Sequence, residues 1–238
     1  MRTLAIDTAD RLFPLCLDWV CEKYKMSHPS DKDFGKGWGF VRKEWERVHQ
    51  KLNLADCALV FVAHAVEKKI KKKVKRAIIE MDRVQPDLPK TGLDLLHDLS
   101  DMILYYGHND DGERKLFGVA REGLMSGCRG GIHIDNDEPT FDVIASAIEK
   151  ATGKTYEDVK PTILLFGPPK IGKSTLVSQF PNPVVIDMEN GYKFLDVQEK
   201  HLCPSWDHFQ KICAGLFPEM ANSLNTKKDE KSKEDNNG

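Results

Sequence analysis

The chain has 238 residues, 40% of them hydrophobic, and 35 Lys and Arg against 37 Asp and Glu leave a net charge of −2. That length suits one α/β domain with a sizeable core, and the balanced charge excludes a globally basic nucleic-acid binder, so any such surface must be local. Six cysteines without C-x-x-C spacing argue against a disulfide frame or zinc cluster, and with no signal-like leader and no membrane-length apolar run a cytoplasmic protein without a membrane partner is expected.

In chain order, Thr3 to Asp7 has the form of a buried parallel strand ending in a carboxylate. Such an acid can hold Mg²⁺ directly or through water, as in a Walker B element; the plainer reading is that Asp7 or Asp10 caps the next helix. Leu12, Leu15, Trp19 and Val20 predict an amphipathic helix over about 10–24, with Pro14 in its first turn. Residues 26–39 read as a loop, and Val41, Trp45, Val48 and Leu52 mark a second helix.

Cys57 to Ala63 is a continuous apolar strand that ends at His64, which in an open parallel sheet would face the same crevice as Asp7. The next stretch holds the one dense basic run: Lys68, Lys69, Lys71, Lys72, Lys73, Lys75 and Arg76. Val66, Ile70 and Val74 recur every four residues, which predicts a helix with a solvated lysine face. The functional alternative is a contact surface for a nucleic-acid backbone, although the run holds no aromatic residue to stack on bases.

A short helix through Leu93, Leu96 and Leu99 leads to a strand from Met102 to Tyr106, and the turn 107–112 returns the chain as a hairpin into 115–119. Arg121 and Arg129 flank a glycine-rich loop and are candidates for stabilising transition-state charge. Phe141, Ile144 and Ile148 define a helix closed at Gly153, and 154–161 reads as a linker.

The apolar strand Thr162 to Phe166 then runs into Gly167, Pro168, Pro169, Lys170, Ile171, Gly172, Lys173, Ser174 and Thr175. This is G-x-x-x-x-G-K-[ST] between a strand and a helix, the context a phosphate-binding loop requires. The two glycines let backbone N–H groups turn inward at phosphate oxygens, and the helix N-terminus adds its dipole. Lys173 would meet the β- and γ-phosphates and the Ser174 hydroxyl a Mg²⁺ ion. Pro183 to Asp187 forms a further strand, and Glu189 just past it would orient water as a general base. Asp187 as the metal acid, with Asp7 incidental, would instead suggest a nucleotide or small-molecule kinase. From residue 222 the composition collapses to polar and charged residues, so 222–238 is expected to be disordered.

Together these motifs resemble the bacteriophage RecA-like nucleotide-binding proteins, an AAA/P-loop ATPase family that includes single-strand-annealing recombinases. The resemblance rests on ILLFGPPKIGKSTLVSQFPNPVVIDMENGYKFLDV (163–197), LAIDTADRLFPLCLDWVC (4–21), DKDFGKGWGFVRKEWERV (31–48), LVFVAHAVEKK (59–69) and PDLPKTGLDLLHDLSDMILYY (86–106). It implies a RecA-like α/β core with a mostly parallel sheet and helices on both faces, and an ATPase acting with ATP and Mg²⁺ on single-stranded DNA in phage recombination or replication. It also implies that Asp7 is the Walker B acid, Glu189 the water-activating glutamate and His64 a γ-phosphate sensor, with the basic run in the place of the DNA-binding loop. Arg121 and Arg129 would reach a neighbouring subunit's nucleotide in a homo-oligomer.

One departure is large: in the family the phosphate loop precedes the Walker B strand, whereas here Asp7 precedes Gly167. The chain therefore reads as a circular permutation, with 1–153 the C-terminal-type half, 154–161 the joining linker and 162–221 the N-terminal-type half. This arrangement makes one spatial demand: the strand ending at Asp7 and the strand leading into the phosphate loop lie as neighbours, with the Asp7 carboxylate beside the Ser174 hydroxyl. A P-loop phosphotransferase and a non-catalytic, nucleotide-dependent assembly factor are the alternative functions.

Overall fold

The computed structural model describes residues 2–31, 35–74 and 77–218. In order, the elements are β1 (Thr3–Asp7), α1 (Ala9–Lys23), a 3-10 turn (Pro29–Asp31), α2 (Lys36–Leu52), β2 (Ala58–Val74), β3 (Ala77–Pro86), α3 (Lys90–Leu99), β4 (Met102–His108), β5 (Arg114–Phe117) and β6 (Gly127–Cys128). There follow β7 (Asp135–Asp137), α4 (Phe141–Thr152), α5 (Tyr156–Val159), β8 (Thr162–Gly167), α6 (Lys173–Val177), β9 (Pro183–Asp187), β10 (Glu199–Leu202) and α7 (Trp206–Leu216). The chain divides into two compact units: Met1–Pro14 with Asp56–Leu202, and Leu15–Ala55 with Cys203–Gly238.

The first unit is built on one sheet in the order β10-β9-β1-β2-β8-β4-β5-β7. The six strands from β10 to β4 are parallel and β5 and β7 antiparallel. Strands covered on both faces need apolar residues at every position, which explains the unbroken runs of β1, β2 and β8. Ala5, Val60, Val62, Leu104, Leu165 and Val185 pack on one side with Ile144 and Ile148 of α4, Tyr156 of α5 and Leu176 of α6. The intervening Leu4, Ile6, Phe61, Leu164, Phe166 and Ile186 are buried on the other. Helices α3 and α6 both contact β8. Gly153, at φ 69°, closes α4 as the sequence suggests, and the presumed linker holds α5, which opens on a capping box between Thr155 and Asp158.

Three expectations are corrected. First, β1 and β8 are not neighbours: β2 lies between them, pairing Asp7 with Val62 on one side and Gly167 with His64 on the other. Ser174 still reaches Asp7, its hydroxyl 2.8 Å from Oδ2, so the segment after Gly167 spans the width of β2. Second, β2 does not stop at His64; it runs on to Val74 and returns as β3, in register from Ala65 opposite Pro86 to Val74 opposite Ala77. The basic run is therefore a β-ribbon rather than a helix. A four-residue spacing is also two strand repeats, so Val66, Ile70 and Val74 share one face of a strand as readily as of a helix, and the cross-strand ladder decides between them. Lys75 and Arg76, and the tail expected to be disordered, lie outside the described residues. Third, α1 starts at Ala9, so Pro14 sits in its second turn, where its ring leaves the Asp10 carbonyl without the usual amide donor. Its side chain is exposed.

In the second unit Trp45 of α2 and Trp206 of α7 are buried with ring centroids 5.8 Å apart. The Glu44 carboxylate gathers Trp206 Nε1 at 2.9 Å and Gln210 Nε2 at 2.7 Å beside Arg47. Burial pushes its pKa up, but these partners outweigh it and hold it low. Among the described residues no helix is long and apolar enough to cross a membrane.

Candidate functional site

β8 carries the chain to Gly167, and the loop beyond it uses left-handed backbone at Lys170 (φ 62°) and Gly172 (φ 115°) before α6 begins at Lys173. Such turns aim successive N–H groups into one concavity, which is what an anion requires. Lys173 is 6% exposed, and its ammonium donates to the carbonyls of Gly167 at 2.9 Å and Pro168 at 2.8 Å. Burial lowers its pKa, against the pull of Asp7, Asp10 and Glu189.

The Asp7 carboxylate, at the end of β1, accepts the Ser174 hydroxyl and the Tyr192 hydroxyl on the same oxygen, Oδ2, each at 2.8 Å. Burial raises its pKa, opposed by these two bonds and by Lys173. Asp187 stands beside Asp7 in register, but its oxygens accept the backbone N–H groups of Glu189 (3.0 Å), Gly191 (3.2 Å) and Tyr192 (3.4 Å). It shapes the turn that carries Glu189, and Asp7 is the acid at Ser174.

Glu189 accepts Arg11 Nε at 2.9 Å, and its second oxygen lies 3.9 Å from His64 Nε2. His64 meets Asp10 twice, backbone N to Oδ1 at 3.0 Å and ring Nδ1 to Oδ2 at 2.9 Å. Asp10 therefore ties α1 to β2 rather than capping α1. The bond to Asp10 raises the His64 pKa; burial raises that of Asp10, but its bonds to His64 outweigh this and lower it.

The signs define a pH window. A raised His pKa adds stability that is complete below the ordinary 6.5 and is lost as pH climbs through the folded value; a lowered Asp pKa adds stability that is complete above the ordinary 3.8 and is lost as pH falls through the folded value. The bridge is thus strongest between 3.8 and 6.5. In denaturant titrations, His64→Gln should be less stable than the parent by about 1 kcal/mol in this window, and the deficit should shrink as pH rises through the folded value of His64. A deficit independent of pH would show that the ion pair is not its source.

These groups enclose a cavity of about 360 Å³ whose wall includes Asp7, Thr8, His64, Lys173, Ser174 and Glu189. Phe194, 96% exposed, stands on the same wall. Arg121 and Arg129 are not on it: Arg121 pairs with Asp135 and lies 4.8 Å from the Phe117 ring, and Arg129 donates to the Asp98 carbonyl at 2.6 Å. On the ribbon, Lys68, Lys71 and Lys72 pair with Asp87 (3.6 Å), Glu80 (3.5 Å) and Glu122 (3.2 Å). Among the described residues no group of three or more His, Cys, Asp or Glu side chains forms a metal cluster. One hydroxyl and one carboxylate in contact fit a hard cation completed by phosphate oxygens and water rather than an all-protein cage.

Sequence reading passed over Tyr192, Arg11, Thr8 and Phe194 as members of this site and saw Asp10 only as a cap. None of them belongs to a periodic pattern or to the phosphate loop; Tyr192 and Arg11 matter only because β9 and β1 are neighbours.

The model of the AAA domain family matches residues 1–129 and 159–236. The chain belongs to the AAA domain family. No curated protein and no solved structure matched it. An AAA domain is a nucleotide-binding ATPase domain of the P-loop type, usually acting with Mg²⁺, and the mostly parallel sheet with its strand-loop-helix at 162–177 fits that fold.

Proposed function

We propose that this AAA domain binds Mg-ATP between the phosphate loop and Asp7, hydrolyses it, and couples nucleotide state to single-stranded DNA through the β2–β3 ribbon. The observation that carries the reading is the 2.8 Å contact of Ser174 with Asp7, two residues that share no stretch of chain and have little reason to meet except around a cation and its phosphates. Gly167 to Thr175 would cradle the phosphates, with Lys173 leaving its carbonyl partners to neutralise the β- and γ-phosphate oxygens. Ser174 and Asp7 would hold Mg²⁺, which when bound spreads the developing charge over those oxygens. Glu189 would orient the attacking water, and the exposed ring of Phe194 offers a face to the base.

Coupling follows from continuity. His64 lies on the cavity wall and is also part of the strand that becomes the ribbon, so a shift of His64 toward a γ-phosphate moves Lys68 to Lys73 on the same rod. Glu67, Glu80 and Asp82 offset part of the ribbon's charge, which favours weak, nucleotide-dependent DNA contact over constitutive binding. Arg121 and Arg129 would act only across a subunit boundary, in a homo-oligomer.

The permuted order has its own support. With the edge strand β10 set aside, the strands β8, β9, β1, β2 and β4, taken from β8, become first to fifth, and their order across the sheet reads second, third, fourth, first, fifth. Consecutive strands lie side by side on one flank, as a doubly wound sheet requires. The stretch between the two segments matched by the family, 130–158, overlaps the proposed join only at 154–158.

The test is ATP turnover with and without single-stranded DNA, in the parent and in a variant with Lys68, Lys69 and Lys72 changed to Ala. DNA is expected to raise the parent's rate severalfold and to leave the variant at its basal rate. A parent indifferent to DNA removes the coupling, and turnover that needs a small acceptor makes the protein a phosphotransferase.

A further inference from the structure

Tyr192 lies outside the phosphate loop, yet it is 1% exposed and touches the centre of the site. Its hydroxyl donates to Asp7 Oδ2 at 2.8 Å, and its amide donates to Asp187 Oδ2 at 3.4 Å. Asp187 Oδ1 in turn gathers the amides of Glu189 and Gly191. The turn 187–192 is therefore a closed unit, pinned at its root by Asp187 and at its far end to β1 by one phenolic O–H, with Glu189 carried in between.

The ring alone does not require this arrangement. Tyr192 belongs to the buried apolar cluster that also holds Leu176, Val177 and Val185, an environment that a Phe ring would satisfy without a polar atom. A hydroxyl kept there, on a buried carboxylate, has an orienting role. Ser174 and Tyr192 both occupy Oδ2 of Asp7, so Oδ1 is the oxygen left for a cation or a cation-bound water.

We propose that Tyr192 is a positioning residue of the nucleotide site, its hydroxyl setting which Asp7 oxygen meets the metal and fixing the Glu189 turn to the strand that carries Asp7. The inference rests on the Mg-ATP reading above. In this role Tyr192 acts through Asp7 and through the backbone that holds Glu189 rather than on the nucleotide itself.

The experiment uses the full chain with Tyr192→Phe, which keeps the ring. Two quantities are read: steady-state ATP turnover, and the Mg²⁺ concentration that half-saturates binding of a fluorescent ATP analogue. Loss of one hydrogen bond to a charged acceptor predicts a kcat lower by about tenfold or more with KM for ATP near the parent's, and a Mg²⁺ requirement raised severalfold. Metal-free analogue binding and the thermal midpoint should stay close to the parent's. A Phe variant equal to the parent in both kcat and Mg²⁺ requirement overturns the proposal, and so does one that loses analogue binding equally with and without Mg²⁺, since that is a packing defect. Lys173→Ala in the same assay separates the two levels. If it turns over ATP like the parent, the site reading itself fails; if it is impaired while Tyr192→Phe is not, only the positioning role fails.

Discussion

Lys173→Ala is expected to hydrolyse ATP about 10²–10³-fold more slowly than the parent, with its fold intact. The magnitude is that of removing one preorganised donor from a water-poor site. Lys173 is buried, its pKa is lowered chiefly by that burial, and its ammonium rests on two backbone carbonyls. On the proposed reading, the β/γ-phosphate oxygens would replace these carbonyls as the partners of the buried ammonium when the ligand arrives. Alanine removes the charge without filling the cavity, so far-ultraviolet circular dichroism and the thermal midpoint should change little. Equal rates in the two proteins would remove ATP hydrolysis at this loop.

Gly167→Ala should cost about 3 kcal/mol of stability, at the upper end of overpacking penalties, read as a fall in the urea midpoint at unchanged m-value. A Cβ at Gly167 would stand 2.1 Å from the backbone oxygen of Tyr106. Neither partner can retreat, because β4 and β8 are hydrogen-bonded neighbours with Tyr105 opposite Phe166. Gly172 is a different case: its added carbon would meet the Tyr106 hydroxyl at 3.0 Å, the end of a side chain that can yield, and its constraint is the φ of 115°. The two glycines of the loop are thus required for different reasons, close approach at the first and backbone conformation at the second. A Gly167→Ala protein within about 0.5 kcal/mol of the parent would mean that β4 and β8 are not so closely apposed.

Local chemistry was legible in the chain. The phosphate loop announces itself because backbone curvature, one ammonium and one hydroxyl must come from nine consecutive residues, and the buried strands announce themselves because each needs an unbroken apolar run. Asp7 and Glu189 could be singled out for a related reason: each stands at the end of such a run, where a parallel sheet opens to ligands.

What the amino-acid order determined by itself was therefore most of the buried strands and amphipathic helices, the phosphate loop and the acids that could serve it. The fold alone decided the neighbours. Only strand pairing turns the lysine run after His64 into a ribbon, since a four-residue apolar spacing satisfies both a helix and a strand and cross-strand hydrogen bonds break the tie. Only the insertion of β2 between β1 and β8 sets how far the loop must cross to bring Ser174 onto Asp7. The partners Asp10 with His64, Arg11 with Glu189 and Tyr192 with Asp7 are separated by 54, 178 and 185 residues, and contacts of that range leave no periodic trace, because they depend on which strand ends are adjacent rather than on what either strand contains.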